Sequence, residues 1–386
     1  MIADKIIKKD YLQLIGWIYY LCTNSFFIIK YGSRALGNSE LLLTLLTFLI
    51  LIHFVIFSIY RFRHHDKSIK GYTLFTISIF TLYSLFINIV IDPHTINVDR
   101  WSALNNSIHN LLQGEYPYTA LTHLNGRSSN LPGLLLIGIP FYLLGNVGFL
   151  QTFCFLLMAI CTFRVIRQNW IRLMVIVLFI SAPAYHWELF AKSDLLSNFI
   201  IITVFMLWNQ QKKSHQLTDK PYTIGIITTV LFLTRLTSFI PLSILLVRDF
   251  FHSKNSVKLK FIVTSLSAFI VLWLLVLYQA PSIDVIREYN PVSLQSTQLA
   301  LPLSISCIII SIVFAFQAKT SKQKMLYSFV FLTLPVILSF VQTIINSSFR
   351  MVILESYNDL SYLSIPLPFL IFGIALSISE VETSKI

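Results

Sequence analysis

Apolar stretches long enough to cross a hydrocarbon core recur along this whole chain, and that recurrence decides most of what it can fold into. They cover 11–29, 41–60, 72–91, 149–163, 170–186, 195–209, 261–278, 299–317, 325–345 and 360–379. In lipid every backbone N–H and C=O must be satisfied within the spanning structure, so such a series folds as helices. Charge agrees: 12% of the 386 residues are charged and 55% are hydrophobic, with a mean hydropathy of +0.73. That is about half the charge a soluble surface carries. The expected fold is all-α, a polytopic transmembrane helical bundle of about 11–13 membrane segments, half-depth helices included. The first apolar stretch is followed by others and lacks a small-residue cleavage site, so it reads as a retained helix and not a signal peptide.

The net charge of +12 raises nucleic acid as a partner, and its distribution removes it. Of 29 Lys and Arg residues, 21 fall in alternate short loops, among them Arg61–Lys70, Arg164–Arg172, Lys212–Lys220, Arg248–Lys260, Lys319–Lys324 and Lys385. Short basic loops stay in the cytoplasm. The expected topology has a cytoplasmic amino terminus, segment 92–131 external, and a working face on the non-cytoplasmic side. The other eight basic residues lie on that side with 10 of the 17 acids. The localisation expected is multi-pass, in the plasma (inner) membrane if bacterial. Cys22, Cys154, Cys161 and Cys307 all sit in apolar segments, so no disulfide framework is expected, and no spacing resembles a metal site.

Two stretches break the count of crossings. Segment 222–247 has basic flanks at both ends yet is about one helix long. A hairpin of two short arms turning near Arg235 and Leu236 resolves this; one tilted helix with a paired Arg is the alternative. An ionisable side chain at that depth is costly and marks a functional site by default. Segment 132–144 opens on Pro132-Gly133 and closes on Gly145-Asn146; it reads as a second half-depth helix.

Polar residues gather in three places. Trp101 to Leu112 has the spacing of an amphipathic helix lying in the interface, ended by the Gly114 to Tyr118 turn, with Asp99 at its start. Asp99 there is either a helix cap or a functional carboxylate. The run HWELFAKSDLLSNF holds His186, Glu188, Lys192 and Asp194, with Asp194 opening a span on the same face. A late external loop holds Arg350, Glu355, Asn358 and Asp359. Arg235 and Arg350 each suit either a phosphate or an internal salt bridge.

The order of these features resembles the GT-C superfamily of integral membrane glycosyltransferases, which use polyprenyl-phosphate-linked sugars. VDRW places Asp99 where that superfamily carries its acidic motif. QGEYPY followed by LPGLLLIGIPFYLLG is similar to the stretch after that loop in bacterial mannosyltransferase-like members. ELFAKSDLLSNF looks like their second acidic site, LTRLTSFIP like their Arg- or Lys-bearing broken helix, and YLSIPLPFLIFG like their final helix. The likeness runs from about residue 70 onward, so 1–70 reads as two amino-terminal helices and 71–386 as a GT-C-like catalytic core. A single Asp99 stands where many members have paired acids, and no soluble carboxy-terminal domain is expected. A divalent metal stays open, and the sequence names no cofactor.

The resemblance implies an inverting hexosyltransferase of the cell envelope. Its partners would be membrane lipid, a polyprenyl-phosphate sugar donor and a glycan or glycolipid acceptor. The residues fit such chemistry: carboxylates can take an acceptor proton, and arginines can hold a departing phosphate. Asp99 and Asp194 are the candidate catalytic residues. Arg235, Arg350, Lys192, Glu188, His186 and Tyr118 are the candidates for binding substrate or phosphate. A flippase for a lipid-linked saccharide is the competing expectation; against it stand the one-sided acids and the lack of an internal repeat.

Overall fold

The computed structural model describes residues 2–211, 216–296, 299–355 and 359–383; Lys212, Lys213, Asn358 and Lys385 lie outside the described residues. The chain is an all-α polytopic membrane bundle. Among the described residues there is no strand, only an isolated bridge between Leu121 and Arg127. Six helices are long and apolar enough to cross a membrane, or up to eight if each of two bent pairs forms one span. The long ones include α1 (Ile2–Gly32), α2 (Asn38–Arg61) and α3 (Asp66–Val90). They continue with α12 (Asn255–Leu277), α16 (Ser321–Asn346) and α18 (Leu367–Thr383), the last preceded by a 3-10 turn at Leu360–Ser364. Shorter helices fall in other apolar stretches: α5 (Pro132–Leu143), α6 (Phe149–Val165), α9 (Leu195–Gln211), α10 (Pro221–Phe232), α11 (Phe239–His252) and α15 (Leu301–Ala315).

Prolines set several of the starts. Pro132, Pro183 and Pro221 each open a helix at a position where the missing N–H is no loss. Pro183 also breaks what reads in sequence as one continuous span. Segment 170–186 is α7 (Asn169–Ile180) followed by α8 (Pro183–Phe190), bent by 56°. Ala182, the residue before the proline, is extended at φ −81°, ψ 111°, as the proline ring requires.

Segment 222–247 is broken at Leu233–Ser238, around Arg235. Its two arms fold back on one another, as the register against α12 demonstrates. Lys260 lies over the Tyr222 ring at 5.7 Å, and Thr229 Oγ1 donates to the Ser265 carbonyl at 3.2 Å, so α10 and α12 run parallel. Only Ser253 and Lys254 separate α11 from α12, and Phe250 packs on Phe261. The start of α10 and the end of α11 therefore share one level. Helix α10 stops three residues past Thr229, whereas α12 runs on for twelve past Ser265, which places the tip within the span. Helix α5 docks on that tip: Gly133 N donates to the Leu233 carbonyl at 2.8 Å.

The main core joins α1, α3, α6–α9, α11, α16 and α18 through fully buried side chains such as Phe155, Phe199, Phe329 and Phe372. A smaller core lies under α4 (Arg100–Gln113), where Leu104, Ile108 and Leu111 meet Leu134, Leu135 and Val276. Gly114, at φ +80°, ends α4 in the left-handed conformation that favours glycine. Outward faces of α2, α3 and α12 expose Leu43, Phe54, Leu82, Ile89 and Leu266, an apolar surface suited to lipid.

Candidate functional site

The start of α4, the junction of α8 with α9, the broken tip at Arg235 and the end of α1 converge on one polar cavity of about 470 Å³. Asp99, Asp194 and Arg235 all line it. So do Lys30, Arg34, Arg100, Arg127 and Asp359. Five of the eight basic residues outside the short basic loops thus meet here, against three carboxylates.

Arg235 sits in extended backbone between the arms, with 2% of it exposed. One guanidinium nitrogen, Nη2, donates to Asp194 Oδ2 at 2.6 Å and reaches Asn130 Oδ1 at 3.5 Å. Its Nε and Nη1 are buried and have no hydrogen-bond partner among the described residues, and neither does Asn130 Nδ2. Unmade bonds from a buried charged group cost several kcal/mol, so these donors call for an acceptor. Asp194 is committed: it takes Arg235 and, at 3.2 Å, Asn198 Nδ2.

Asp99 differs. It occupies the cap position of α4 but makes no side-chain bond to the helix backbone. Its Oδ2 accepts from Thr122 Oγ1 at 3.0 Å, and the carboxylate is only half-buried. Gly126 stands against it; a Cβ there would fall 2.5 Å from Oδ2.

Arg100 donates to Asp359 Oδ2 and to Ser361 Oγ, tying α4 to the turn before α18. Burial opposes charge on both partners. Arg100, with help from the Ser361 hydroxyl and amide, nevertheless holds the Asp359 carboxyl below its ordinary value; Asp359 in turn pushes Arg100 up. On the far side, Arg127 bonds the Glu288 carbonyl at 2.8 Å and its carboxylate at 3.1 Å. Gln295, on α14 (Pro291–Ser296), accepts from Leu236 N and donates to the Ser129 carbonyl, clamping the tip to the loop before α5.

Two apolar spaces adjoin the cavity. A cleft of about 410 Å³ runs between α11, α15 and α16 past Phe239, Ile305, Ile308, Val336 and Phe340. It shares Arg235, Asp359 and Tyr362 with the polar cavity. An aromatic chamber of about 530 Å³ lies between α1, α2 and α8, lined by Phe27, His186, Trp187 and Phe190. It shares Tyr31, Arg34, Asn97, Val98 and Trp187 with the polar cavity.

The other expected residues go elsewhere. His186 faces the aromatic chamber, its ring held by Tyr83 at 3.1 Å and the Ile180 carbonyl at 2.7 Å. Glu188 is buried and accepts from the amide and hydroxyl of Ser197 in α9. Lys192, at φ +46°, donates to the Asn88 carbonyl at the end of α3. Tyr118 is fully buried against Tyr116. Arg350, on α17 (Phe349–Leu354), is exposed and does not line the cavity. Among the described residues no group of three or more His, Cys, Asp or Glu is placed to hold a metal ion.

No protein-family model, curated protein or solved structure matches this chain.

Proposed function

We propose that this protein is a glycosyltransferase of GT-C type that moves a sugar from a polyprenyl-phosphate donor to a hydroxyl acceptor on the non-cytoplasmic face. One observation carries the reading: a cationic cavity, with two unpartnered Arg235 nitrogens, abuts an apolar cleft and shares Arg235, Asp359 and Tyr362 with it. A molecule with a phosphate at one end and a long hydrocarbon chain at the other matches that juxtaposition. A soluble nucleotide sugar would have no use for the cleft.

In this reading Arg235 binds the donor phosphate, and Asp194 keeps the guanidinium oriented toward it. Asp99 takes the proton of the acceptor hydroxyl as its oxygen bonds the anomeric carbon. The bond from that carbon to the phosphate oxygen breaks, and the electron pair leaves with the phosphate, whose growing charge Arg235 stabilises. A single displacement of this kind inverts the anomeric centre, as the GT-C resemblance implies.

Purified protein given radiolabelled polyprenyl-phosphate sugar and a crude lipid extract should yield labelled product without ATP or nucleotide sugar. Arg235→Gln should abolish donor binding. Accumulation of intact donor across a vesicle wall, with no transfer, would replace this reading with a flippase.

A further inference from the structure

The aromatic chamber between α1, α2 and α8 is the third space around the site, and phosphate chemistry at Arg235 does not account for it. Its walls are Phe27, Ile28, Trp187 and Phe190, with Thr44 on α2 and Pro183 at the α8 start. At about 530 Å³ it falls within the usual range for a ligand site of roughly 300–1,000 Å³. It is separate from the cleft that suits the donor chain, because the two share no lining residue. Where it opens into the polar cavity stand Tyr31, Arg34 and Trp187, next to Lys30.

Those two cations are not consumed by the fold. Lys30 is 4% exposed, and its ammonium bonds no side chain or carbonyl among the described residues; it lies 5.7 Å over the Tyr31 ring. Arg34 is exposed and rests on the same ring at 5.1 Å. Within the cavity five cations face three carboxylates. Asp194 is bonded by Arg235 and Asp359 by Arg100, and Asp359 also acts on Lys30 through space. Among the described residues no carboxylate is bonded to Lys30 or Arg34.

We infer that the chamber holds the hydrocarbon chain of a second lipid, whose phosphate headgroup is bound by Lys30 and Arg34. This rests on the transferase reading and names its acceptor: an anionic, phosphate-bearing lipid. Its headgroup hydroxyls then lie in the same cavity as Asp99. Donor and acceptor each approach by a separate apolar space.

The test uses the full chain in nanodiscs of phosphatidylcholine with or without phosphatidate, and a photo-reactive residue in place of Phe190. Mass spectrometry of the adduct should find phosphatidate strongly preferred. Inorganic phosphate should not displace it, since the chain anchors the ligand. Arg34→Gln should lower the phosphatidate adduct about fivefold, and Arg34→Gln with Lys30→Gln about thirtyfold, each cation being worth about that factor near an anionic lipid. A photo-reactive residue at Ile305, in the other cleft, should give unchanged adducts in both variants, which also confirms that they fold. Equal labelling by phosphatidate and phosphatidylcholine, or the same preference at the lipid-facing position Ile50, would overturn the assignment. These outcomes need no sugar transfer. A failed transfer assay with an intact Phe190 preference would sink the transferase reading and leave the lipid site standing.

Discussion

At the scale of single residues, Asp99 and Asp194, two of the three carboxylates lining the cavity, have unequal freedom. Asp99 has Thr122 and nothing from its own helix, so Asp99→Asn keeps that bond and removes only the proton acceptor. Its expected effect is a transfer rate lower by about 10²–10⁴ with unchanged melting, because the Thr122 bond is kept and there is no side-chain cap to lose. Transfer at the parental rate would take Asp99 out of the mechanism. Asp194→Asn should behave in the opposite way. It leaves Arg235 buried without its carboxylate, a loss of about 3–5 kcal/mol that size-exclusion profiles and thermal unfolding would register. Adding Arg235→Gln to it should recover part of that stability while donor binding stays lost. Titration separates out a third carboxylate. Asp359 is held below its ordinary value, so its contribution to stability is present above the unfolded value of about 3.9 and is lost as pH falls through the lower folded one. Melting should therefore change little on acidification to pH 5 through this pair, and Asp359→Asn should flatten the drop below it.

Part of this was readable from the chain alone. Asp99, Asp194 and Arg235 stand out because an ionisable group at or inside an apolar stretch needs a reason to be there. Glu188 reads in the sequence as a substrate-binding candidate beside Asp194, but it accepts from the amide of Ser197 and does not line the cavity. Lys30, Arg34 and Arg100 carry no signal in the sequence that sets them apart, whereas Arg350, singled out there for a phosphate, does not line the cavity. Convergence is a three-dimensional property: Arg100 meets a partner 259 residues away.

At the scale of elements, the break in 222–247 and the shortness of 132–144 were both legible, from flanking charge and from Pro-Gly punctuation. That the two would dock on each other was not. Gly133 is the contact: a Cβ there would lie 2.1 Å from the Val230 carbonyl oxygen and 2.8 Å from that of Leu233. Both obstacles are backbone, so neither can step aside. Gly133→Ala is expected to separate α5 from the tip and move Arg235, costing stability and donor binding together. Gly225→Ala, whose Cβ would meet its nearest atom at 3.1 Å on the Ser265 hydroxyl, should be far milder. Comparing the melting temperatures of the two variants checks the junction. The bend at Pro183 went unforeseen in 170–186 because hydropathy alone reads through a proline that local context can accommodate.

At the scale of the whole molecule, charge distribution predicts the sidedness of the cavity. In a cysteine-free background, single cysteines at 61–70 and 318–324 should resist a membrane-impermeant thiol reagent on intact cells. One at Leu124 in 92–131, 45% exposed, should react. Reporters fused after Lys220 and after Arg248 should both report cytoplasm, as a folded-back pair of arms requires. Labelling of 61–70 would invert the orientation and with it the face on which transfer is proposed.

The reach of the cavity's ion pairs along the chain also sets a timetable for its assembly. Asp194 precedes Arg235 by 41 residues, so when the buried guanidinium leaves the ribosome its counter-charge has already been made. Arg100 has the reverse history: it is translated 259 residues before Asp359, and Tyr19 waits longer still for the Leu363 carbonyl. A nascent chain can thus neutralise its deepest charge early, but it cannot close the mouth of the cavity until the last span emerges. Until then Arg100 has only water or headgroups for company, and the half-made protein presents more positive charge at that mouth than the finished one.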